Sequence, residues 1–252
     1  MEQVEYKRFK NIYPWFAALS GDLLFYVIIG DLFLSVVKGF SASQIVSLTS
    51  ISLIVSLILQ FPLLALIKKI GNTASLRVGS ILLFISSLLL TFGGYFVAVL
   101  GKITYEVSFT LLSMCNVTLK NNSNLAGAGE DYIRINTNAN TIYAAFTLVI
   151  SLCASFIFNF NHYLAMLCSS FICIVSIVLA FFIKDYSKQD NIVTHKPNTR
   201  NKLKLSKILV LTIIVFMLFF PFVNSSQTNG SLFIQYELLD NFTVKKVQFC
   251  LV

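Results

Sequence analysis

The sequence predicts an all-α membrane protein: a six-helix transmembrane bundle, a basic linker and the start of a second bundle. The first observation is composition, because 56% of the 252 residues are hydrophobic and only 12% are charged, whereas soluble domains carry roughly 25% charged residues. The second is that the apolar residues form long blocks, several of which reach the ~20 residues that a helix needs to cross a bilayer. The third is that Lys and Arg lie between these blocks. The net charge of +8 therefore indicates membrane topology and not a nucleic-acid partner.

The first three crossings are predicted over residues 14–37, 44–67 and 74–92. The first apolar block is longer than the 7–15 residues of a signal-peptide core, so it is expected to stay as a membrane helix. Ser41 supplies an N-cap signal for the second helix. The pair Gly93-Gly94 is expected to end the third helix.

The next three crossings are predicted over residues 96–119, 135–158 and 163–183. A polar segment, "KNNSNLAGAGEDYIR", separates the fourth helix from the fifth. A short polar turn over residues 159–162 separates the fifth from the sixth. Residues 1–183 are therefore expected to form the six-helix transmembrane bundle.

Residues 184–207 are predicted to form a basic cytoplasmic linker, and their positive charges determine the predicted orientation of the chain. The chain is expected to be a multi-pass protein of the cell membrane with its N-terminus in the cytoplasm. The cations assigned to the inner side are Lys7, Arg8, Lys10, Lys68, Lys69, Arg77, Lys120, Arg134 and those of the linker. The cations assigned to the outer side are Lys38, Lys245, Lys246 and the partly embedded Lys102.

Residues 208–252 are predicted to begin a second bundle. A seventh helix is expected from Ile208 to about Tyr236, with an eighth starting near Thr243. Leu32-Phe33, near the end of the first helix, returns as Leu232-Phe233 in the seventh, which favours a parallel duplication of a six-helix unit. On this interpretation the chain is expected to be an incomplete transporter.

Two segments resemble the major facilitator superfamily of secondary transporters. "GFSASQIVSLTS", residues 39–50, is similar to the start of that family's second helix. "KKIGNTASLRVGSILLF" begins at Lys68 and resembles the loop between helices two and three, where the family pattern is G-x-x-x-D-R-x-G-R-R. Lys69 and Gly71 match the first basic residue and the last glycine, whereas Lys68 stands where the family has Asp.

This resemblance implies alternating-access transport of a small solute, with helices one, four and seven lining a central cavity. The family has twelve helices, so the chain would supply one half and the start of the other. A possible partner for the missing helices is a second copy of the chain or another half-transporter.

Four charged residues lie inside predicted helices: Asp22 and Asp31 in the first, Lys102 and Glu106 in the fourth. At a rise of about 1.5 Å per residue, Asp22 and Glu106 lie about 12–15 Å from the ends of their helices, near the midplane. Asp31 and Lys102 lie about 9 Å below the outer surface. Lys102 can therefore pair with Asp31 across the helices, or with Glu106 at i and i+4. The alternatives are a structural ion pair and a protonatable group that couples transport to a proton.

Asn224 and Gln227 lie in the polar run "NSSQTNG" of the predicted seventh helix. Such a run favours either a broken helix that faces a cavity or a helix that ends at Asn224. Both alternatives stay open.

No enzyme motif is found in the sequence, since it contains no nucleotide loop, zinc motif or nucleophile triad. The five cysteines have no metal-ligand spacing, so neither a metal nor a cofactor is expected. The predicted function is secondary transport of a small solute through the lipid bilayer, with a proton as one candidate coupling ion. The alternative is a non-transporting half-transporter or a membrane interaction module.

Overall fold

The computed structural model describes residues 3–186 of the chain. The predicted seventh helix, the start of the eighth, and nearly all of the basic linker lie outside the described residues. The domain boundaries predicted at residues 207 and 208 therefore stay predictions.

The described residues form α-helices joined by short connections. Their bounds are α1 (Gln3–Leu19), α2 (Leu24–Leu32), a π-helical turn (Phe33–Val37), α3 (Ala42–Ile70), α4 (Asn72–Phe92), α5 (Tyr95–Leu112), α6 (Met114–Leu125), α7 (Asp131–Phe160) and α8 (His162–Phe182). Together they make six segments long and apolar enough to cross a membrane, which lie at Glu5–Val37, Ala42–Ile70, Asn72–Phe92, Tyr95–Leu125, Asp131–Phe160 and His162–Phe182. Over residues 3–186, the prediction of an all-helical fold with six membrane-compatible helices is confirmed.

Two of the six segments are not single continuous helices, contrary to the sequence-based expectation. The first is interrupted between Leu19 and Leu24, and it ends in the π-helical turn. The fourth changes from α5 to α6 at Ser113, whose hydroxyl donates to the carbonyl of Thr110 over 2.7 Å. Serine hydroxyls that bond to their own helix bend it or weaken it locally.

The predicted helix-end signals at Ser41 and Gly93 are confirmed. The Ser41 hydroxyl accepts the Gln44 amide over 3.3 Å, and the Ser41 amide donates to the Gln44 side chain over 2.9 Å, which together form a capping box. α4 ends at Phe92, where Gly93 turns to an extended conformation. These local signals fix where the chain can reverse direction.

Contacts at the two ends of the bundle show an up-and-down course. On one side, which we call the basic side, the Lys10 ammonium meets the Asp131 carboxylate at 2.9 Å and ties α1 to the start of α7. On the opposite side, the Phe33 ring packs edge-on against Tyr163 with centroids 5.5 Å apart. Burial lowers the pKa of Lys38, whose ammonium lies 5.7 Å from both of these ring centroids.

α4 is the central helix, and it packs on both α5 and α8. The Ser108 hydroxyl of α5 donates to the Gly79 carbonyl of α4 over 2.9 Å, and Ser86 of α4 donates to the Gly101 carbonyl of α5 over the same distance. Glycine at both positions lets the two backbones approach, as small residues do between membrane helices. The α4–α5 pair thereby gives α5 a fixed position against the rest of the bundle.

α1 packs on α7 and α8, and α3 packs on α5. α3 and α7 are the least buried of the six membrane-compatible segments, with 17% and 18% of their apolar windows buried against 50% for α4. α3 and α7 therefore present the largest faces to their surroundings, whether lipid or another helix.

Candidate functional site

The centre of the candidate site is the interruption of the first segment at residues 20–23. The sequence there is Ser-Gly-Asp-Leu, and Ser, Gly and Asp are all poorer helix formers than Leu or Ala. The Ser20 hydroxyl and amide both donate to the carbonyl of Phe16, over 2.7 and 2.9 Å, which closes α1. The interruption lies near the middle of the 33-residue segment Glu5–Val37. We call residues 20–23 the helix break.

Asp22 occupies the helix break and bonds to the start of α2. Its carboxylate accepts the amide of Leu23 over 2.8 Å. The first amides of a helix have no partner within the helix, and an acidic group next to them is stabilised by the helix dipole. The N-cap residue of α2 thus holds the Asp22 carboxylate at the start of that helix.

Tyr105 of α5 is the principal partner of Asp22 from another helix. Its hydroxyl donates to the Asp22 carboxylate over 2.5 Å, a distance typical of a strong hydrogen bond to an ionised acceptor. Tyr105 also stacks on Phe109, with ring centroids 6.1 Å apart. Two helices far apart in sequence are therefore joined at the break.

Lys102 lies one turn before Tyr105, with its ammonium against aromatic rings. The nitrogen is 4.6 Å from the centroid of the Tyr105 ring and 5.6 Å from that of Tyr26. Both distances are within the ~6 Å range of a cation–π interaction. Tyr105 therefore carries a carboxylate on its hydroxyl and a cation on its ring.

Glu106 and Asp31 complete the set of charged groups that the sequence singled out. Glu106 is close enough to Lys102 and Asp22 to interact electrostatically with both. Asp31 interacts electrostatically with Tyr26, the ring that also faces Lys102. Asp22, Lys102 and Glu106 thus lie close enough to interact electrostatically, while an Asp31–Lys102 ion pair stays a prediction.

α7 supplies another wall of the site through Tyr143. A β-carbon built on Gly21 would lie 3.4 Å from the Tyr143 ring, so the glycine lets the ring approach the helix break. Tyr143 also interacts electrostatically with Asp22 and Tyr105. Three helices therefore meet at Asp22.

A line of polar side chains on α7 leads from the basic side towards this wall. Asn136, Asn140, Tyr143 and Thr147 recur at the spacing of one helix face, and we call them the α7 polar stripe. Asn140 is exposed and the other three are partly exposed. Asp22, Lys102, Tyr105 and Glu106 are also partly exposed, so the site opens to the surroundings of the bundle.

Comparison with known proteins gives this chain no family. It matches no known protein family profile and no curated protein sequence. What the site does is therefore inferred from its own residues.

The loop between α3 and α4 contains the two residues carried by the family resemblance, Lys69 and Gly71. Lys69 is exposed at the end of α3 on the basic side. Gly71 has φ of 88°, a conformation that glycine adopts without steric cost, and it joins the two helices. The positive φ explains why glycine stands at position 71, whereas no contact of Lys69 within residues 3–186 explains why lysine stands at position 69.

The two residues after Gly71 hold the end of the bundle. The Asn72 side-chain amide donates to the Asp185 carboxylate over 2.5 Å, and the Asp185 amide donates to the Thr73 hydroxyl over 2.9 Å. Asn122 of α6 continues the network by donating to the Lys184 carbonyl over 2.8 Å. We call these contacts the Asp185 latch. It fixes the segment after α8 on the basic side.

The tyrosines were missed by sequence reasoning. Tyr26, Tyr105 and Tyr143 lie in apolar segments, where tyrosine is unremarkable as a residue type. Tyr105 stands directly before Glu106 in the sequence. A tyrosine next to an acid within a predicted membrane helix was the one signal that could have indicated a functional role for Tyr105. Asn224 and Gln227 lie outside the described residues.

Proposed function

We propose that this protein is a secondary transporter of a small solute, built on the pattern of the major facilitator superfamily. The observation that carries the proposal is the helix break at Asp22, which is held by Tyr105 near the middle of a membrane-compatible segment. Irregular backbone at membrane depth is tolerated only where it is buried in protein or lines a polar cavity. Broken helices of this kind form the binding sites of many secondary transporters.

The α7 polar stripe supports a path from the basic side to this site. Asparagine side chains facing lipid would leave amide groups without hydrogen-bond partners, which is costly in hydrocarbon. Asn140 is exposed in the isolated chain, so a water-lined path is the arrangement that satisfies it. Such a path would connect Asp22 to the aqueous phase.

Asp22 and Glu106 are the candidates for proton coupling. Both are carboxylic acids at the level where a solute would bind, and they interact with each other electrostatically. Adding a proton to either removes one negative charge from the site and weakens its attraction for Lys102. The solute and the proton can then influence each other's binding through the same few groups.

The orientation follows from the positive charges at the basic side. Lys10, Lys69, Lys120 and Lys184 lie near the basic-side ends of their helices, whereas Lys38 is at the opposite side. The positive-inside rule therefore favours a cytoplasmic basic side and a cytoplasmic N-terminus in the cell membrane. In alternating access, this bundle would rock against a second one around the site.

A transport screen tests this proposal. The full chain is reconstituted into liposomes and offered labelled amino acids, sugars, nucleosides and amines at acidic and neutral external pH. The variants are Asp22→Asn and Glu106→Gln, and the matched control is Glu130→Gln, an exposed acid outside the site. We expect uptake that depends on pH in the unchanged chain and in the control, and loss of that dependence in at least one site variant.

Absence of uptake for every solute class would contradict transport by this chain. The size of the purified chain in detergent then decides between the two non-transporting alternatives. A monomer indicates a non-transporting half, whereas a stable complex of two copies or with another membrane protein indicates an interaction module. Uptake whose pH dependence survives in both site variants would refute the assignment of Asp22 and Glu106 as coupling groups.

A further inference from the structure

The position of Lys102 shows what the candidate site can hold. Its ammonium is placed over the faces of Tyr105 and Tyr26, at 4.6 and 5.6 Å from the ring centroids. Rings arranged around an ammonium in this way are used by proteins to recognise cationic ligands. We call these two rings, together with the carboxylates of Asp22 and Glu106, the tyrosine cage.

The charges around the cage favour a further cation. Two acidic side chains, Asp22 and Glu106, interact electrostatically with the same cation, Lys102, within the membrane-compatible segments. Charge at membrane depth is costly unless it is neutralised. One lysine cannot neutralise both of these carboxylates, so an additional proton or cation is favoured.

The hydrogen-bond partners narrow the choice among cations. One oxygen of Asp22 already accepts from Tyr105 and from the Leu23 amide. The second Asp22 oxygen and the Glu106 carboxylate are the acceptors left for a ligand. A ligand that brings its own N–H donors and its own positive charge can therefore bind to them. A primary ammonium brings three N–H donors and a compact charge, as a lysine head group does.

We propose that the tyrosine cage binds the ammonium group of a primary organic amine, and that Lys102 occupies the cage as a tethered substitute when the amine is absent. This inference rests on the proposed transport function, because it names the class of solute. Binding of the amine displaces the Lys102 ammonium, which remains on α5 next to Glu106. Neutral and anionic solutes lack the positive charge that attracts a ligand to both the ring faces and the carboxylates.

Partial exposure makes the exchange physically accessible. Lys102, Tyr105, Asp22 and Glu106 all retain part of their surface in contact with the surroundings of the bundle. The α7 polar stripe reaches the same region through Tyr143. An amine arriving from the basic side can therefore reach the cage without unfolding a helix.

Binding of n-propylammonium, a free form of the lysine head group, tests the proposal on the full chain in lipid nanodiscs. The readouts are the thermal unfolding temperature and the fluorescence of Trp15, which is the single tryptophan of the sequence. Trp15 packs edge-on against Phe146 of α7, with centroids 6.2 Å apart, one turn from Tyr143. The same measurements use n-propanol, propionate and tetramethylammonium at equal ionic strength.

Lys102→Met removes the tethered ammonium and keeps an unbranched stem. If Lys102 occupies the cage about nine-tenths of the time, its removal tightens the binding of propylammonium by about tenfold. When Tyr105→Leu is combined with Lys102→Met, one ring of the cage is lost and the gain in affinity for propylammonium disappears. When Tyr105→Phe is combined with Lys102→Met, the ring is kept and most of the gain in affinity remains. Lys120→Met, which removes an exposed lysine of α6, is the control and leaves the affinity unchanged.

Three results would overturn the tyrosine cage. They are equal affinity of Lys102→Met and the unchanged chain for propylammonium, equal binding of propanol, and tetramethylammonium binding as tightly as propylammonium. If Lys102→Met does not fold, Lys102→Gln provides the same comparison.

Uptake of labelled propylammonium into liposomes separates this inference from the proposed function. Binding without uptake supports the cage and contradicts transport. Uptake of a neutral or anionic solute without amine binding supports transport and refutes the cage.

Discussion

The hydrogen bond between Tyr105 and Asp22 gives the sharpest test of the site's geometry. Hydrogen bonds to charged groups contribute about 1.5–3 kcal/mol, whereas measured bonds between membrane helices average about 0.6 kcal/mol with a maximum near 1.7. The Tyr105–Asp22 bond is short, at 2.5 Å, and has a carboxylate acceptor. We therefore expect a coupling energy of about 1.5 kcal/mol, which is about tenfold in an equilibrium constant.

The measurement is a double-mutant cycle with Tyr105→Phe and Asp22→Ala. Stability is obtained from reversible unfolding of the full chain in mixed micelles. Asp22→Ala also removes the hydrogen bond from the Leu23 amide. The cycle cancels this second effect, because Asp22→Ala is present both in the single variant and in the double variant. The matched control is Ser87→Ala with Ser170→Ala, two hydroxyls 2.6 Å apart in the buried contact of α4 with α8.

We expect the neutral serine pair to give about 0.6 kcal/mol, the average for membrane helices. Protonating Asp22 at acidic pH should reduce the Tyr105 coupling to about the same value, since the acceptor loses its charge. A Tyr105–Asp22 coupling no larger than that of the serine pair at neutral pH would refute the reasoning. So would a coupling that does not change with pH.

Three other perturbations test the fold. In Gly101→Val, the new side chain starts from a β-carbon that would lie 3.0 Å from the Leu89 β-carbon, so we expect a loss of about 1–3 kcal/mol in unfolding free energy. The control is Gly94→Ser, which has open space around it and stands at the N-cap of α5, where serine is favoured, and it should not destabilise the chain. Asp185→Ala breaks the Asp185 latch, so trypsin should cleave faster after Lys184. In a cysteine-free background, an impermeant maleimide should label Gly94→Cys on intact cells and Gly129→Cys only after permeabilisation; the reverse pattern would contradict a cytoplasmic N-terminus.

The six membrane-compatible helices could be predicted because the bilayer imposes length and composition on each segment separately. The capping box at Ser41 was predictable for a related reason, since it depends on residues three positions apart. The shared level of Asp22 and Glu106 followed from helix rise alone, and the structure shows the two groups interacting. These are local properties, or properties that a straight helix transmits without distortion.

The helix break was not predictable by the same reasoning. Ser20, Gly21 and Asp22 are tolerated within many helices, and the apolar block on either side favoured a continuous one. What stabilises the break is tertiary: the Tyr105 hydroxyl comes from a residue 83 positions away, and Tyr143 packs next to Gly21 from α7. Periodicity within one segment carries no information about such partners.

Asp22 has two roles that are physically inseparable. Its carboxylate accepts the Leu23 amide at the start of α2, and it accepts the Tyr105 hydroxyl from α5. In membrane hydrocarbon each backbone group without a partner costs several kcal/mol, so the same acid that could carry a proton also helps to hold the break in place. A proton or a cation that neutralises Asp22 weakens both hydrogen bonds at once. The angle between α1 and α2, and the position of α5, would then respond to the charge of the site, which is the link between occupancy and helix movement that a transporter requires.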